Sequence, residues 1–271
     1  MARDAPSTPD GYPKVTVAVR SVLVMENNAS STTFVLVHGA WHDGTCWDRV
    51  VPLLEARGHV VHAPTLTGHG ESADRLGPEV NLTTHADDVV DLVLGKDLSG
   101  VVLVGHSYAG MVISAVANRI PERVARLVYL DAMVPEHGES AVDVMPAARQ
   151  MIDAAADSAE PWRIPPLPEL PAPGGLFGVT DPRDVAWLRG ILGDESAACF
   201  VEPVDQSSPA LARVPRAHIH CVGFEVEGLE RRPVPAVQPN GDPARVLELR
   251  SGHDCMVTVP AELAALLAGL V

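Results

Sequence analysis

Residues 101–120 read VVLVGHSYAGMVISAVANRI. A short apolar run, mostly valine, passes through Gly105-His106-Ser107-Tyr108-Ala109-Gly110 and enters an apolar helical stripe at once. A buried strand that turns this sharply into a helix leaves Ser107 at a strained corner, with its hydroxyl presented above the strand end. Small residues are needed at Gly105 and Ala109, because strand and helix approach closely there. The helix N-terminus and the Tyr108 backbone N–H then face whatever binds at Ser107. The usual form of such a turn carries glycine where this chain has Ala109; Gly110 follows it. Ser107 is the candidate nucleophile.

Working outward, similar runs recur at 34–37 (FVLV), 59–63 (HVVHA), 127–130 (LVYL), 218–222 (HIHCV) and 245–249 (RVLEL). Valine-rich runs of this length, flanked by Gly or Pro, suit strands buried on both faces of a parallel sheet. Helical patterns lie between most of them. Residues 45–57 place Trp47, Val50, Val51 and Leu54 on one face, with Gly58 at the expected C-cap. Residues 83–94 and 111–120 carry comparable stripes, and the closing PAELAALLAGLV sets Leu263, Leu266, Leu267 and Leu270 on one side. Alternating strands and helices mean an open α/β sheet.

From 134 to 214 the pattern breaks into proline-rich pieces such as RIPPLPELPAPGG, mixed with short helical segments. So long a stretch is uncommon as a bare loop inside a compact domain, and it reads as an inserted cap. The expected organisation is a core over 33–133 and 215–271, a cap over 134–214, and an N-terminal extension over 1–32. In that extension KVTVAVRSVLV alternates like an edge strand or hairpin, and ENNASSTT reads as a polar linker.

Composition narrows the function. At 271 residues with 46% hydrophobic and 20% charged, the chain can bury a sizeable core. A net charge of -15 works against a sequence-independent grip on phosphate backbones, so nucleic acid is set aside. Cys46, Cys199, Cys221 and Cys255 lie far apart with no CxxC pair, which suggests neither a disulfide scaffold nor a structural zinc site. With no apolar run of about 18 residues and no apolar leader in MARDAPSTPDGYPK, the expectation is a cytoplasmic protein off the membrane. Its expected partner is a small-molecule substrate, and a homodimer is compatible with the sequence.

Two further stretches complement Ser107. In FVLVHGAWHDGTCW (34–47), His38-Gly39 follows a strong strand. An oxyanion on a carbonyl attacked by Ser107 needs two backbone donors, and the Ala40 N–H of this loop is the candidate to join Tyr108 N–H. In LELRSGHDCMVTVP (247–260), His253 comes just after the last strand. Of eleven histidines it is the best placed to take the serine proton.

HGAWH, GHSYAG, LVYLDAMVPEHGES and SGHDCMV together resemble the α/β-hydrolase superfamily, in the branch of small esterases that includes plant methylesterases, hydroxynitrile lyases and bacterial relatives. The resemblance runs from about 33 to 271 and implies a mostly parallel central sheet flanked by helices, with an inserted cap. Hydroxynitrile lyases of this branch carry a threonine after the first motif's histidine and a lysine after the catalytic histidine. This chain has Gly39 and Asp254 there, and an acidic neighbour that repels cyanide implies hydrolysis. Epoxide hydrolases and dehalogenases of similar fold attack with aspartate, whereas position 107 is serine.

The resemblance also places the orienting acid after the strand before the last. There AHIHCVGFEVEGLE (217–230) offers no carboxylate at Gly223 or Phe224, and Glu225 comes next. A glutamate's extra methylene compensates for a set-back backbone, so Glu225 is the preferred acid and Asp131, directly after LVYL, is the rival. Glu227 and Glu230 read rather as partners of Arg231 or Arg232, or as solvated charge.

Trp41, His42, Tyr108, Trp162, Leu167, Phe177 and Trp187 are candidates for an apolar pocket wall or for plain core packing. His218 and His220 share a strand face as a metal pair would, but no third ligand is visible, and neither metal nor cofactor is expected. The sequence therefore reads as a serine hydrolase for a small, largely apolar ester, lactone or thioester. Acyl transfer or secondary-metabolite tailoring is the second reading, and a non-catalytic small-molecule sensor the third.

Overall fold

The computed structural model describes residues 31–223 and 231–271. The expected N-terminal strand and the linker up to residue 30 lie outside them, as do Glu225, Glu227 and Glu230; the last linker residue, Thr33, opens the first strand. Along the chain come β1 (Thr33–Val37), α1 (Val51–Glu55), β2 (Val60–His62), α2 (Leu82–Gly95), β3 (Val101–His106), α3 (Ala109–Arg119) and β4 (Val124–Leu130). Next are α4 (Ala141–Val144), α5 (Ala147–Ala155), β5 (Arg163–Ile164), α6 (Pro182–Ile191), β6 (Glu195–Ser196) and α7 (Ala197–Val201). The chain closes with β7 (Arg216–Cys221), β8 (Val246–Leu249), α8 (Cys255–Thr258) and α9 (Pro260–Ala268).

Six strands form one parallel sheet in the order β2-β1-β3-β4-β7-β8. All six come from the apolar runs of the sequence. β3 is buried at every position, whereas the edge strands β2 and β8 keep exposed positions. Burial on both faces therefore holds for the centre and not for β2 and β8, the outermost strands among the described residues. The core forms two apolar layers. One, with Val89, Val112, Val116 and Phe200, packs α2, α3 and the β4–β7 segment; the other, with Trp47, Leu54, Met256 and Leu263, packs α1, α8 and α9.

The helix expected over 45–57 is split. A 3-10 turn at Gly44–Trp47 is capped by the Asp43 side chain, and α1 begins at Val51 with Pro52 in its first turn. Proline lacks an N–H and fits a helix start, not its interior, so the break falls just before it. Helix α2 opens on a capping box between Asn81 and Thr84.

The segment between β4 and β7 reaches the loops at the C-terminal ends of the strands. The Trp41 indole N–H donates to Ile164 O (3.0 Å), Gly193 N–H to Trp41 O (2.8 Å), and Asp254 N–H to Phe177 O (2.9 Å). Among the described residues, no helix is long and apolar enough to cross a membrane.

Candidate active site

The turn between β3 and α3 is as tight as its sequence implies. Ser107 has φ +56°, a left-handed conformation unfavourable for a residue with a side chain. A Cβ on Gly105 would sit 2.5 Å from Ala109 O, and one on Gly110 only 1.9 Å from Met133 O. Glycine is thus demanded at 105 and 110, while Ala109 is accommodated, fully buried, as the first residue of α3. The strained corner is pinned by Ser107 N–H to Leu130 O (3.2 Å) and Met133 N–H to Ser107 O (3.0 Å). Five described non-glycine residues have positive φ, and four of them, Trp41, Ser107, Asp131 and Phe177, lie in this neighbourhood. Such clustering is a mark of active sites.

The loop after β1 abuts the corner: a Cβ on Gly39 would lie 2.9 Å from Ser107 Cβ. Its two histidines differ in their hydrogen-bond partners. His38 donates from Nδ1 to Gly39 O (2.9 Å) and accepts the Leu66 N–H at Nε2 (3.0 Å), so its ring is neutral, and burial lowers its pKa well below the usual value. His42 has acceptors on both sides, Ala40 O at Nδ1 (2.8 Å) and Asp254 Oδ2 at Nε2 (3.0 Å). Burial acts to lower its pKa, but the Asp254 charge and both hydrogen bonds raise it on balance. The Ala40 and Tyr108 backbone N–H groups have no hydrogen-bond acceptor among the described residues. Both residues are buried, where an unsatisfied N–H is rare.

His253 follows β8, and its ring centroid lies 4.4 Å from that of His106, the residue before Ser107. His106 Nε2 donates to His253 O (3.1 Å), which fixes the backbone at His253. Burial and then the nearby His253 push the His106 pKa down to about 3, so this ring stays neutral. The Nδ1 of His253 meets Asp131 Oδ2 at 2.7 Å. Asp131 Oδ1 accepts from Cys221 N–H (3.1 Å) and from Arg231 (Nε 2.9 Å, Nη2 2.8 Å). Burial acts to raise the Asp131 pKa, but His253, Arg231 and the Cys221 N–H together hold it well below the usual carboxylate range.

The orienting position at His253 is thus occupied by the rival, Asp131, while the preferred Glu225 lies outside the described residues. Arg231 meets Asp131, and Arg232 meets Glu139 at 2.7 and 2.8 Å; Glu227 and Glu230, their expected partners, lie outside the described residues. Sequence reasoning missed Arg231 as a brace for the acid. The Arg231-Arg232 pair after an acidic loop was its visible signal, but the loop's own glutamates were the nearer explanation.

Trp41 lies 5.9 Å, centroid to centroid, from both Phe177 and Phe200, and Phe177 lies 6.3 Å from His253. Tyr108 packs on Phe200 at 5.8 Å. Phe200, which carried no distinguishing sequence signal, joins this aromatic cluster. Leu167 packs partly buried against the same apolar layer. His42 is buried in the loop, with both ring nitrogens engaged. Trp162 lies under the Arg163 guanidinium, and Trp187 under that of Arg49 in the opposite core layer. Asp254, expected to present a negative charge beside the base, is fully buried and paired with His42, so the charge is met inside the protein.

Among the described residues, two groups place possible metal-ligating atoms within 4.8 Å of one another: His69, His85 and Glu195, and His106, His253 and Asp254. In the first, His69 Nε2 lies 3.2 Å from Glu195 Oε2, and His85 holds Thr67 O and the Tyr108 hydroxyl. Burial acts to raise the Glu195 pKa, but His69 and its neighbours hold it down at about 2. His218 is outside both groups; it stacks on Tyr129 at 5.2 Å.

Residues 34–266 match the sequence profile of the Alpha/beta hydrolase family. The chain belongs to the α/β-hydrolase family. Within it this hydrolase falls in the branch of small esterases. It is 38% identical to the carbendazim hydrolyzing esterase of Nocardioides sp. (strain SG-4G) over 244 residues, 88% of this chain and 98% of that protein. A shorter match, 36% identical over 41% of this chain and 43% of the relative, is to methylesterase 4 of Arabidopsis thaliana. Among solved structures, an extracellular α/β-hydrolase from a Paenibacillus species superposes with a TM-score of 0.72 at 26% identity, over 88% of this chain and 98% of that one. That protein is described as sharing structural and functional homology with tobacco salicylic acid binding protein 2.

Proposed function

We propose that this hydrolase cleaves a small, largely apolar carboxylic ester, lactone or thioester through an acyl-enzyme on Ser107. The observation that carries the reading is the Asp131–His253 hydrogen bond beside the Ser107 corner. A carboxylate on Nδ1 keeps the proton there and leaves the Nε2 lone pair to act as base. The esterase names of the relatives point the same way.

In the proposed cycle His253 Nε2 takes the Ser107 proton as Oγ attacks the substrate carbonyl. The oxyanion is received by the Ala40 and Tyr108 N–H groups. Collapse of the tetrahedral intermediate expels the alcohol or thiol, which takes the proton back from His253. Water then enters, His253 deprotonates it, and a second tetrahedral intermediate releases the acid and restores Ser107. Asp131 stabilises the imidazolium at each step without itself accepting the proton. The Trp41–Phe177–Phe200 wall accounts for an apolar acyl or alcohol portion.

A fluorophosphonate probe tests this directly. Wild-type protein is expected to gain one adduct that maps to Ser107 and is lost in Ser107→Ala. An unlabelled wild-type protein would favour a non-catalytic sensor. Acyl transfer shares the acyl-enzyme, and product analysis with a competing alcohol separates it from hydrolysis.

A further inference from the structure

His42 and Asp254 are almost fully shielded from solvent, with side-chain exposures of 2% and 0%. Asp254 stands at the N-cap of α8, where an aspartate ordinarily bonds the first helical N–H groups. Here its side chain makes no capping bond and turns to His42 Nε2 at 3.0 Å. The other ring nitrogen, Nδ1, is 2.8 Å from Ala40 O. Ala40 O only accepts, and Asp254, whose pKa burial acts to raise but His42 holds below the usual range, only accepts while it is ionised, so both nitrogens of His42 then donate. That requires an imidazolium.

The two acceptors belong to different parts of the site. Ala40 supplies an oxyanion N–H in the proposed mechanism, and Asp254 follows the base His253 in sequence. We propose that His42 is a positioning residue: as an imidazolium it ties the oxyanion loop to the base loop, holding the Ala40 amide and the His253 ring in register about Ser107. The inference rests on the acyl-enzyme reading of this site.

The groups facing His42 from each packed element fit the assignment. Asp254 comes from the base loop and Asp43 from its own loop, and both favour the charge. The His106 ring, edge-on at 6.0 Å from the end of β3, is neutral, as is His38 at the start of the loop. From the 134–214 segment the Phe177 ring lies 5.1 Å from that of His42. A buried ion pair contributes little net stability compared with an apolar replacement, and is strongly missed when one partner alone is removed. Single substitutions therefore confuse folding with catalysis, and the neutral pair His42→Gln/Asp254→Asn is the informative variant.

Nitrogen-15 NMR of the His42 ring in wild-type protein, which does not depend on turnover, is expected to show both nitrogens protonated with a midpoint above pH 6.5. A ring neutral at pH 6.5 overturns the proposal. For p-nitrophenyl acetate, the neutral pair is expected to lose about tenfold in kcat, equivalent to about 1.4 kcal/mol, with KM within about twofold. It is also expected to lose the alkaline limb that the wild type shows as His42 gives up its proton. A neutral pair with wild-type kcat and the same alkaline limb overturns the positioning role. Failure of the acyl-enzyme reading is seen separately, as absent fluorophosphonate labelling of the wild-type protein.

Discussion

The Ser107 side and the His253 side of this candidate site are built by different forces. Around Ser107 the geometry is steric: a left-handed serine, a Gly105 that cannot bear a Cβ against Ala109 O, and a Gly110 in contact with Met133 O. Around His253 it is electrostatic: Asp131 on Nδ1, Arg231 on Asp131, and the His42–Asp254 pair alongside. Steric construction is indifferent to pH and intolerant of added volume. Charged construction tolerates volume and depends on which groups carry protons.

Substitutions should divide along that line. Gly110→Val is expected to have the largest effect, because its Cβ would overlap a backbone oxygen of the chain leaving β4. Overpacking of a few kcal/mol in a domain of this size lowers Tm by roughly 6–12 °C or prevents folding; a thermal melt at neutral pH checks it, and an unchanged Tm would break the steric half of the comparison. Arg231→Gln comes next, with about a tenfold loss of kcat at neutral pH and an unchanged fold by circular dichroism.

That same variant carries a pH signature. Asp131 has its folded pKa depressed, so its contribution is present above its unfolded value and is lost as pH falls through the folded one. Without Arg231 the folded pKa rises toward the ordinary range, and acid unfolding should begin at a higher pH than in wild type. Glu195 follows the same sign on the other side of Tyr108. Its pKa is held at about 2 against a usual 4.5, so Glu195→Gln should flatten the stability profile between those values, as read from denaturant midpoints across that window. Ala109→Gly is the smallest expected change. It restores the glycine usual in such turns and costs about 0.5–1 kcal/mol of helix stability, with ester turnover within about twofold of wild type.

What the sequence shows of this molecule follows from how local each feature is. The six strands, the Ser107 corner and the loop at His38–His42 rest on contiguous residues whose apolar runs and glycines state their own purpose. The carboxylate at His253 does not. Asp131 comes just after β4 in the sequence, and the packing of β4 against β7 brings its Oδ1 onto the Cys221 N–H and its Oδ2 onto His253. Its positive φ, 45°, is likewise invisible in an isolated LDA. His42 shows the same limit: its aromatic ring suggested a pocket wall, and its partner is 212 residues away. Pairings of charge across so long a separation leave no periodicity to read.

The account turns on which carboxylate serves His253, and one paired measurement addresses it. Turnover of p-nitrophenyl acetate should fall by about 10⁴ in Asp131→Asn, as expected when the imidazole loses its orienting charge, and should stay within about twofold of wild type in Glu225→Gln. A Glu225→Gln enzyme that loses its activity while Asp131→Asn retains it would contradict the Asp131–His253–Ser107 assignment.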